Sequence, residues 1–239
     1  MLREVDRDIW VAEQPLRYLG LSVGTRMTVV RLADGQLAII SPIQVSDAIV
    51  SQLAELGTIG HIIAPNLYHH LYAAEFKAIY PHATLWAAPG LDLKKPELPI
   101  DENLKPEESQ RWNGLEYIFF DGFRTLGLGG FNPLNECIFF HAASRTLILT
   151  DAAFNFDESF PLITQFATRL SGGYKNLRPS FLERLATTEK AKVRQSVEKI
   201  LGWDFERVIM AHGSIVEQHG KAKFKQGYEQ FLGQLIMDC

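Results

Sequence analysis

The sequence predicts an α/β protein built as a four-layer sandwich of helix, sheet, sheet and helix. Three observations point there. The first third alternates strand and helix signals in a β-α-β-α-β series, the pattern of a parallel sheet. A second set of β-rich runs follows a proline- and charge-rich connection over 89–108, with helical signals after it. The 239 residues suit one domain, since a core of that size buries roughly three quarters of the unfolded surface. A single doubly wound sheet is the alternative arrangement.

The elements follow in order. Runs over 27–32 and 36–41 flank Ala33-Asp34-Gly35, a hairpin signature because Asp-Gly tolerates positive φ. Ser46 is placed to cap a helix bearing Ile49, Val50, Leu53 and Leu56, with Gly57 as its stop. A short buried strand over 61–64 leads into Pro65-Asn66-Leu67-Tyr68-His69-His70. A helix over 71–80 and a strand over 83–87 come next. Strands are expected over 115–120, 136–140 and 146–150. The stretch 154–187 is rich in phenylalanine around Ser171-Gly172-Gly173 and reads as a lid-like insertion, a packed helical hairpin being the alternative. Val193, Val197, Ile200 and Leu201 mark an amphipathic helix, 207–211 a buried strand, and 223–236 a closing helix.

Composition narrows the function classes. Hydrophobic residues make up 46%, charged residues 22%, and the net charge is −4, which excludes a disordered chain and argues against a nucleic-acid binder. No apolar stretch approaches the ~20 residues of a membrane span, and the charged N-terminus has no apolar leader core. Neither nucleic acid nor a membrane is therefore expected as a partner, and a small-molecule substrate is. Two cysteines, Cys137 and Cys239, make no disulfide framework, so a cytoplasmic setting is expected.

In open α/β folds, ligands gather where strands deliver their C-terminal ends. Three buried-strand patterns here end in potential metal ligands. One leads to His69-His70, the second ends at Asp151, and the third runs into His212-Gly213. A lone histidine after a strand is ordinarily structural, but three such ends carry more weight together. Histidine and carboxylate form the common ligand set for zinc, iron and manganese.

This order of elements, from Met27 to Gly220, resembles the metallo-β-lactamase superfamily. That family's H-x-H-x-D-H signature corresponds to 65–70, and its G-H-T-P-G signature to Gly130-Phe131-Asn132-Pro133-Leu134. Its bridging aspartate corresponds to Asp151 and its final histidine to His212. The family's first-metal histidines fall on Pro65, Leu67 and Phe131, which cannot ligate. Its second-metal ligands fall on His69 (in place of an aspartate), His70, Asp151 and His212, which all can. The resemblance thus implies the metallo-β-lactamase sandwich with one divalent transition metal at the second-metal position, or the remnant of such a site. It implies a metal-dependent hydrolase with water as nucleophile, the alternative being a non-catalytic descendant that binds a ligand or partner. Pro65, Leu67 and Phe131 would wall off the lost first site with apolar groups. The chain is similar to an uncharacterised branch, so the resemblance supplies no substrate.

Adjacent His69 and His70 reach one ion only at a helix start, where successive side chains diverge by about 100°. Four protein ligands would saturate tetrahedral zinc, whereas octahedral iron or manganese would keep two open positions. His141, ten residues before Asp151, is a candidate acid or base beside the catalytic Asp151, a loop histidine being the alternative reading. Arg178, Arg184 and Arg194 are candidates for an anionic substrate or simply solvated charges. Gly20-Leu21-Ser22-Val23-Gly24 matches a nucleophile elbow, but a strand follows it where the elbow needs a helix, so Ser22 reads as a turn residue. Gly127-Leu128-Gly129-Gly130 opens no helix, which argues against dinucleotide binding.

Overall fold

A computed structural model describes residues 1–106, 111–112, 114–127 and 130–237. The glycine-rich run at 127–130 and Cys239 therefore lie partly or wholly outside the described residues.

The chain begins with β1 (Arg3–Asp6), β2 (Ile9–Gln14) and a small hairpin, β3 (Arg17–Tyr18) and β4 (Leu21–Ser22). Strands β5 (Thr25–Arg31) and β6 (Leu37–Ile40) follow, then α1 (Asp47–Leu56), β7 (Ile59–Ala64), α2 (Ala73–Ile79) and β8 (Thr84–Ala87). A short α3 (Leu91–Lys94) and β9 (Glu102–Asn103) complete the first sheet, whose order is β1-β2-β5-β6-β7-β8-β9. Strands β6 to β9 run parallel, joined by α1 and α2 as the β-α-β-α-β pattern requires. Ser46 caps α1 by accepting from the Ile49 amide, and Gly57 ends it.

The second sheet has the order β10-β11-β14-β15-β16. Its strands are β10 (Arg111–Trp112), β11 (Leu115–Phe120), β14 (Glu136–His141), β15 (Thr146–Ile148) and β16 (Arg207–Ile209), with the hairpin β12 (Arg124–Gly127) and β13 (Gly130–Pro133) between β11 and β14. Helices α4 (Leu162–Ser171) and α5 (Phe181–Ala186) occupy the stretch before α6 (Lys190–Leu201), and α7 (Gly220–Leu232) closes the chain.

Strict alternation along the strands makes the layers. Ile9 and Val11 face the other sheet while Trp10 and Ala12 face α1 and α2; in the second sheet Cys137 and Phe139 face inward while Ile138 and Phe140 face α6 and α7. Because successive strand residues point to opposite faces, a strand apolar on both faces sits between two apolar layers. Three stacked cores result: helix on sheet, sheet on sheet, and sheet on helix. This is the αββα sandwich that the sequence predicts.

Three features differ from the sequence reading. The charged N-terminus forms β1 and β2, because Ile9 to Ala12 are buried while charges cluster on the edge strand β1. Ser22 sits in the β3–β4 hairpin, between Gly20 at φ 81° and Gly24 at φ 66°, where only short strand pairing fits. Residues 154–187 form two helices held by isolated bridges at Phe154–Arg178 and Phe156–Tyr174, not an irregular loop. Among the described residues no helix is long and apolar enough to cross a membrane.

Candidate metal centre

The three strand ends meet at one place, and a buried asparagine organises the first. After β7, the Pro65 carbonyl accepts from the Cys137 amide at 2.8 Å, tying the two sheets together. Asn66 is fully buried. Its Oδ1 accepts from the backbone amides of Tyr68 (2.7 Å) and His69 (2.8 Å), an Asx turn that folds the chain back and presents His69. Its Nδ2 donates to Asp151 Oδ2 at 2.8 Å and to Thr150 Oγ1 at 2.9 Å.

Glu136 organises the second strand end. It opens β14 with no exposure at all, and its carboxylate accepts from the amides of Thr150 (2.7 Å) and Asp151 (2.8 Å). Burial, and then the charge of Asp151, push the Glu136 carboxyl above its ordinary range. The third end is held by Arg26 of β5, which donates to the Gly213 carbonyl at 2.8 Å and to the Met210 carbonyl, and pairs with Glu13. Gly213 has φ 93°, and a Cβ there would lie 2.2 Å from the Asn155 carbonyl oxygen, so only glycine can follow His212.

His69 Nε2 lies 3.3 Å from Asp151 Oδ2, and His212 Nε2 lies 3.4 Å from Asp151 Oδ1. One ligand atom from each of the three residues falls within 4.8 Å of the other two. Both Nδ1 atoms are engaged, His69 with Ser41 Oγ at 2.7 Å and His212 with the Gly24 carbonyl at 2.5 Å. A carbonyl only accepts, so His212 carries a proton on Nδ1 and turns Nε2 toward a carboxylate oxygen. A bare lone pair facing that oxygen is repulsive, so this contact calls for a second proton or a cation between the two atoms. Burial pushes Asp151 upward, but the two imidazoles outweigh it and hold the carboxyl well below the usual range. Burial pushes His69 down, and the Asp151 charge outweighs that, leaving its pKa raised.

The donor set fits a divalent transition metal. Two imidazoles and one carboxylate, each imidazole oriented through its other nitrogen, are the ligands and supports that zinc and iron sites use.

Two residues expected from the sequence are elsewhere. His70 is outside the group: the turn at Asn66 aims its neighbour inward, and His70 lies buried in the field of Lys94 and Lys95, where burial and then those cations push it down to about 4. His141 stands at the opposite end of β14 from Glu136, paired across the ladder with Thr146 at the start of β15. Its Nδ1 contacts Ser144 Oγ at 2.8 Å, so it is a strand-end histidine, neither in a loop nor a partner of Asp151. Nor do the three apolar replacements form one wall. Leu67 packs with Ala64, Ala87 and Leu91, whereas Phe131 is 49% exposed on the β12–β13 hairpin. Sequence reasoning gave no role to Asn66, Glu136, Ser41 or Arg26. The available signals were a carboxylate heading an otherwise apolar strand and an arginine next to an apolar one.

Comparison with known proteins agrees with this architecture. The model of the family described as "Domain of unknown function (DUF4336)" matches residues 6–172. No curated protein matches the chain. Among solved structures, a metallo-β-lactamase from Pontibacter korlensis superposes with a TM-score of 0.66 at 9% identity, covering 98% of this chain and 99% of that one. The metallo-β-lactamase FIM-1 from Pseudomonas aeruginosa, in its mono-zinc form, gives 0.62 at 9% identity, covering 97% and 96%. The metal-soaked Flv1 flavodiiron core from Synechocystis sp. PCC6803 gives 0.64 at 14% identity, covering 98% of this chain and 60% of that one. The fold is that of the metallo-β-lactamases.

Proposed function

The chain belongs to the family described as "Domain of unknown function (DUF4336)", and on that premise we propose that it is a metal-dependent hydrolase using a single divalent ion, zinc, iron or manganese. The observation that carries this reading is the pair of Nε2 atoms aimed at one carboxylate, with the His212 tautomer set by Gly24. With His70 outside, three protein ligands remain, which leaves a position open as catalytic sites do and closed structural sites do not. An ion bound there would supply Lewis-acid activation of water and of the scissile group.

The chain's own groups have separable roles in this reading. His69, Asp151 and His212 hold the ion; Asn66 and Glu136 fix the Asp151 carboxylate; Ser41 and Gly24 orient the rings. Tyr18 and Tyr68 both lie within the field of Asp151. Burial, with that charge added, pushes the Tyr68 hydroxyl up, so it stays a protonated donor for a substrate, while the Tyr18 hydroxyl donates to the Leu126 carbonyl. The lid-like role expected for 154–187 belongs to the same proposal, supported by the Phe154 ring 6.2 Å from the His212 ring. So does the cytoplasmic setting, which suits the buried free thiol of Cys137.

The test is turnover on a panel of esters and phosphodiesters, with protein loaded with each of the three metals and with chelated protein. Hydrolysis that appears on loading and vanishes in Asp151→Asn supports the hydrolase. Metal binding without turnover on any substrate would favour the non-catalytic alternative.

A further inference from the structure

Helix α4 is folded with its polar side in. Thr164, Gln165 and Thr168 are its buried residues. Thr164 Oγ1 donates to the Ser22 carbonyl at 3.1 Å, and Gln165 Nε2 to the Phe160 carbonyl at 2.8 Å. The outward side carries Leu162, Ile163, Phe166 and Leu170, which are 63–80% exposed. A surface helix of a globular protein does the reverse, and a contiguous apolar face left in water marks a place where something docks.

The face continues across neighbouring elements. The bond to Ser22 ties α4 to the β3–β4 hairpin, whose tip presents Leu19 at 71% exposure. Tyr18 of that hairpin donates to the Leu126 carbonyl of β12 at 2.9 Å, and β12 in turn holds α5 through Thr125 and Glu183. Helix α5 adds exposed Phe181 and Leu185. The Gly24 carbonyl, two residues beyond the Ser22 carbonyl that α4 bonds, contacts His212 Nδ1, so this surface lies beside the candidate metal centre.

Its charge is one-sided. Over 160–188 the ionisable side chains apart from tyrosine are Arg169, Lys175, Arg178, Arg184 and Glu183. Glu183 is buried in the capping box of α5. Lys175 pairs with Glu158 at 2.7 Å, while the three arginines form no ion pair with a described carboxylate. An apolar face with unneutralised arginines, on a chain of net charge −4, matches the signature of a surface that lies on an anionic lipid bilayer.

We propose that α4, α5 and the β3–β4 tip dock this protein on an anionic membrane surface, with the candidate metal centre opening toward the lipid. This replaces the expectation from composition that no membrane is involved. The protein lies on the bilayer and does not span it. A second copy is a poorer occupant: a two-fold contact would bring each arginine set toward the other with no exposed acid of this segment to meet it. The docking is independent of whether the metal centre turns over a substrate.

Co-sedimentation of the full chain with two kinds of vesicle tests this, phosphatidylcholine alone and phosphatidylcholine with phosphatidylglycerol. Binding to the anionic vesicles, weakened by salt because exposed charges are screened, is the expected result. Phe166→Asp weakens that binding at least about tenfold, since burying a phenylalanine is worth more than that in an equilibrium constant. The double variant R169Q/R184Q weakens it and flattens the salt dependence. All three positions are surface-exposed or unpaired, so an unchanged melting temperature verifies the fold of each variant. Absence of binding to anionic vesicles, equal binding to neutral ones, or full binding by Phe166→Asp overturns the proposal. Self-association of the wild type that Phe166→Asp disperses also overturns it, in favour of a second copy.

Discussion

His69 and His141 are a natural pair for comparison. His141 is buried and His69 largely so, and both place Nδ1 on a serine hydroxyl, Ser41 at 2.7 Å and Ser144 at 2.8 Å. They differ in what Nε2 can reach. His69 faces the Asp151 carboxylate at 3.3 Å. His141 sits at the other end of β14, among Ser144 and Thr146, with Asp6 and Asp8 acting only through longer-range charge. Burial therefore dominates at His141 and lowers its pKa, whereas at His69 the carboxylate overrides burial and raises it. Burial and an oriented ring do not make a ligand; convergence of a second strand end does.

The largest stability effect belongs to the support of the His69 end. Asn66→Ala removes the acceptor for the Tyr68 and His69 amides and a donor to Asp151. It is expected to cost about 3 kcal/mol, because buried groups left unpaired lose their full solvation. Urea unfolding measures it. If Asn66→Ala is neutral, the turn presenting His69 does not depend on this side chain and the contrast with His141 weakens.

The serines sharpen the comparison. Ser41→Ala is expected to weaken metal affinity about tenfold, the effect of losing a group that orients a ligating imidazole. Competition against a chromophoric chelator reads this directly. Ser144→Ala should leave affinity unchanged and cost about 2 kcal/mol of stability, since its hydroxyl makes two buried hydrogen bonds, to His141 and Thr146.

The smallest effect is in pH dependence, and it has opposite signs at the two ends. In metal-stripped protein His69 titrates above its ordinary value of 6.5. Its stabilisation is complete below 6.5 and is lost as pH rises through the folded value. His141 titrates below 6.5, so its contribution holds above 6.5 and is lost as pH falls through the interval down to the folded value. Urea midpoints across pH for His69→Asn and His141→Asn should therefore converge on the wild type at opposite ends of the range. Convergence at the same end would show that the two rings share one environment.

How much of this was legible in the sequence follows from the same contrast. The sandwich was legible because alternation and helical spacing are local signals: Ile9 to Ala12 excepted, the core strands and α1, α6 and α7 sit where periodicity puts them. The N-terminal strand was hidden by the charges of its exposed edge partner. Asp151 and His212 were legible as polar residues terminating apolar strands. Choosing between His69 and His70 was not, because that depends on Asn66 bonding two amides within three residues, a turn no periodicity reports. His141 misled for the same reason. Its distance along the chain from Asp151 is short, but an antiparallel ladder sends the two to opposite ends. Glu136 is close to Asp151 only across that ladder.

In the proposed function His69, Asp151 and His212 hold one ion, without His70 or His141. The most direct measurement is metal per chain by elemental analysis, after loading with excess zinc, iron or manganese and removing the unbound ion. One equivalent is expected in the wild type, in His70→Asn and in His141→Asn, with near zero in Asp151→Asn. No metal in the wild type, an unchanged equivalent in Asp151→Asn, or its loss in His70→Asn with the fold intact would contradict the account.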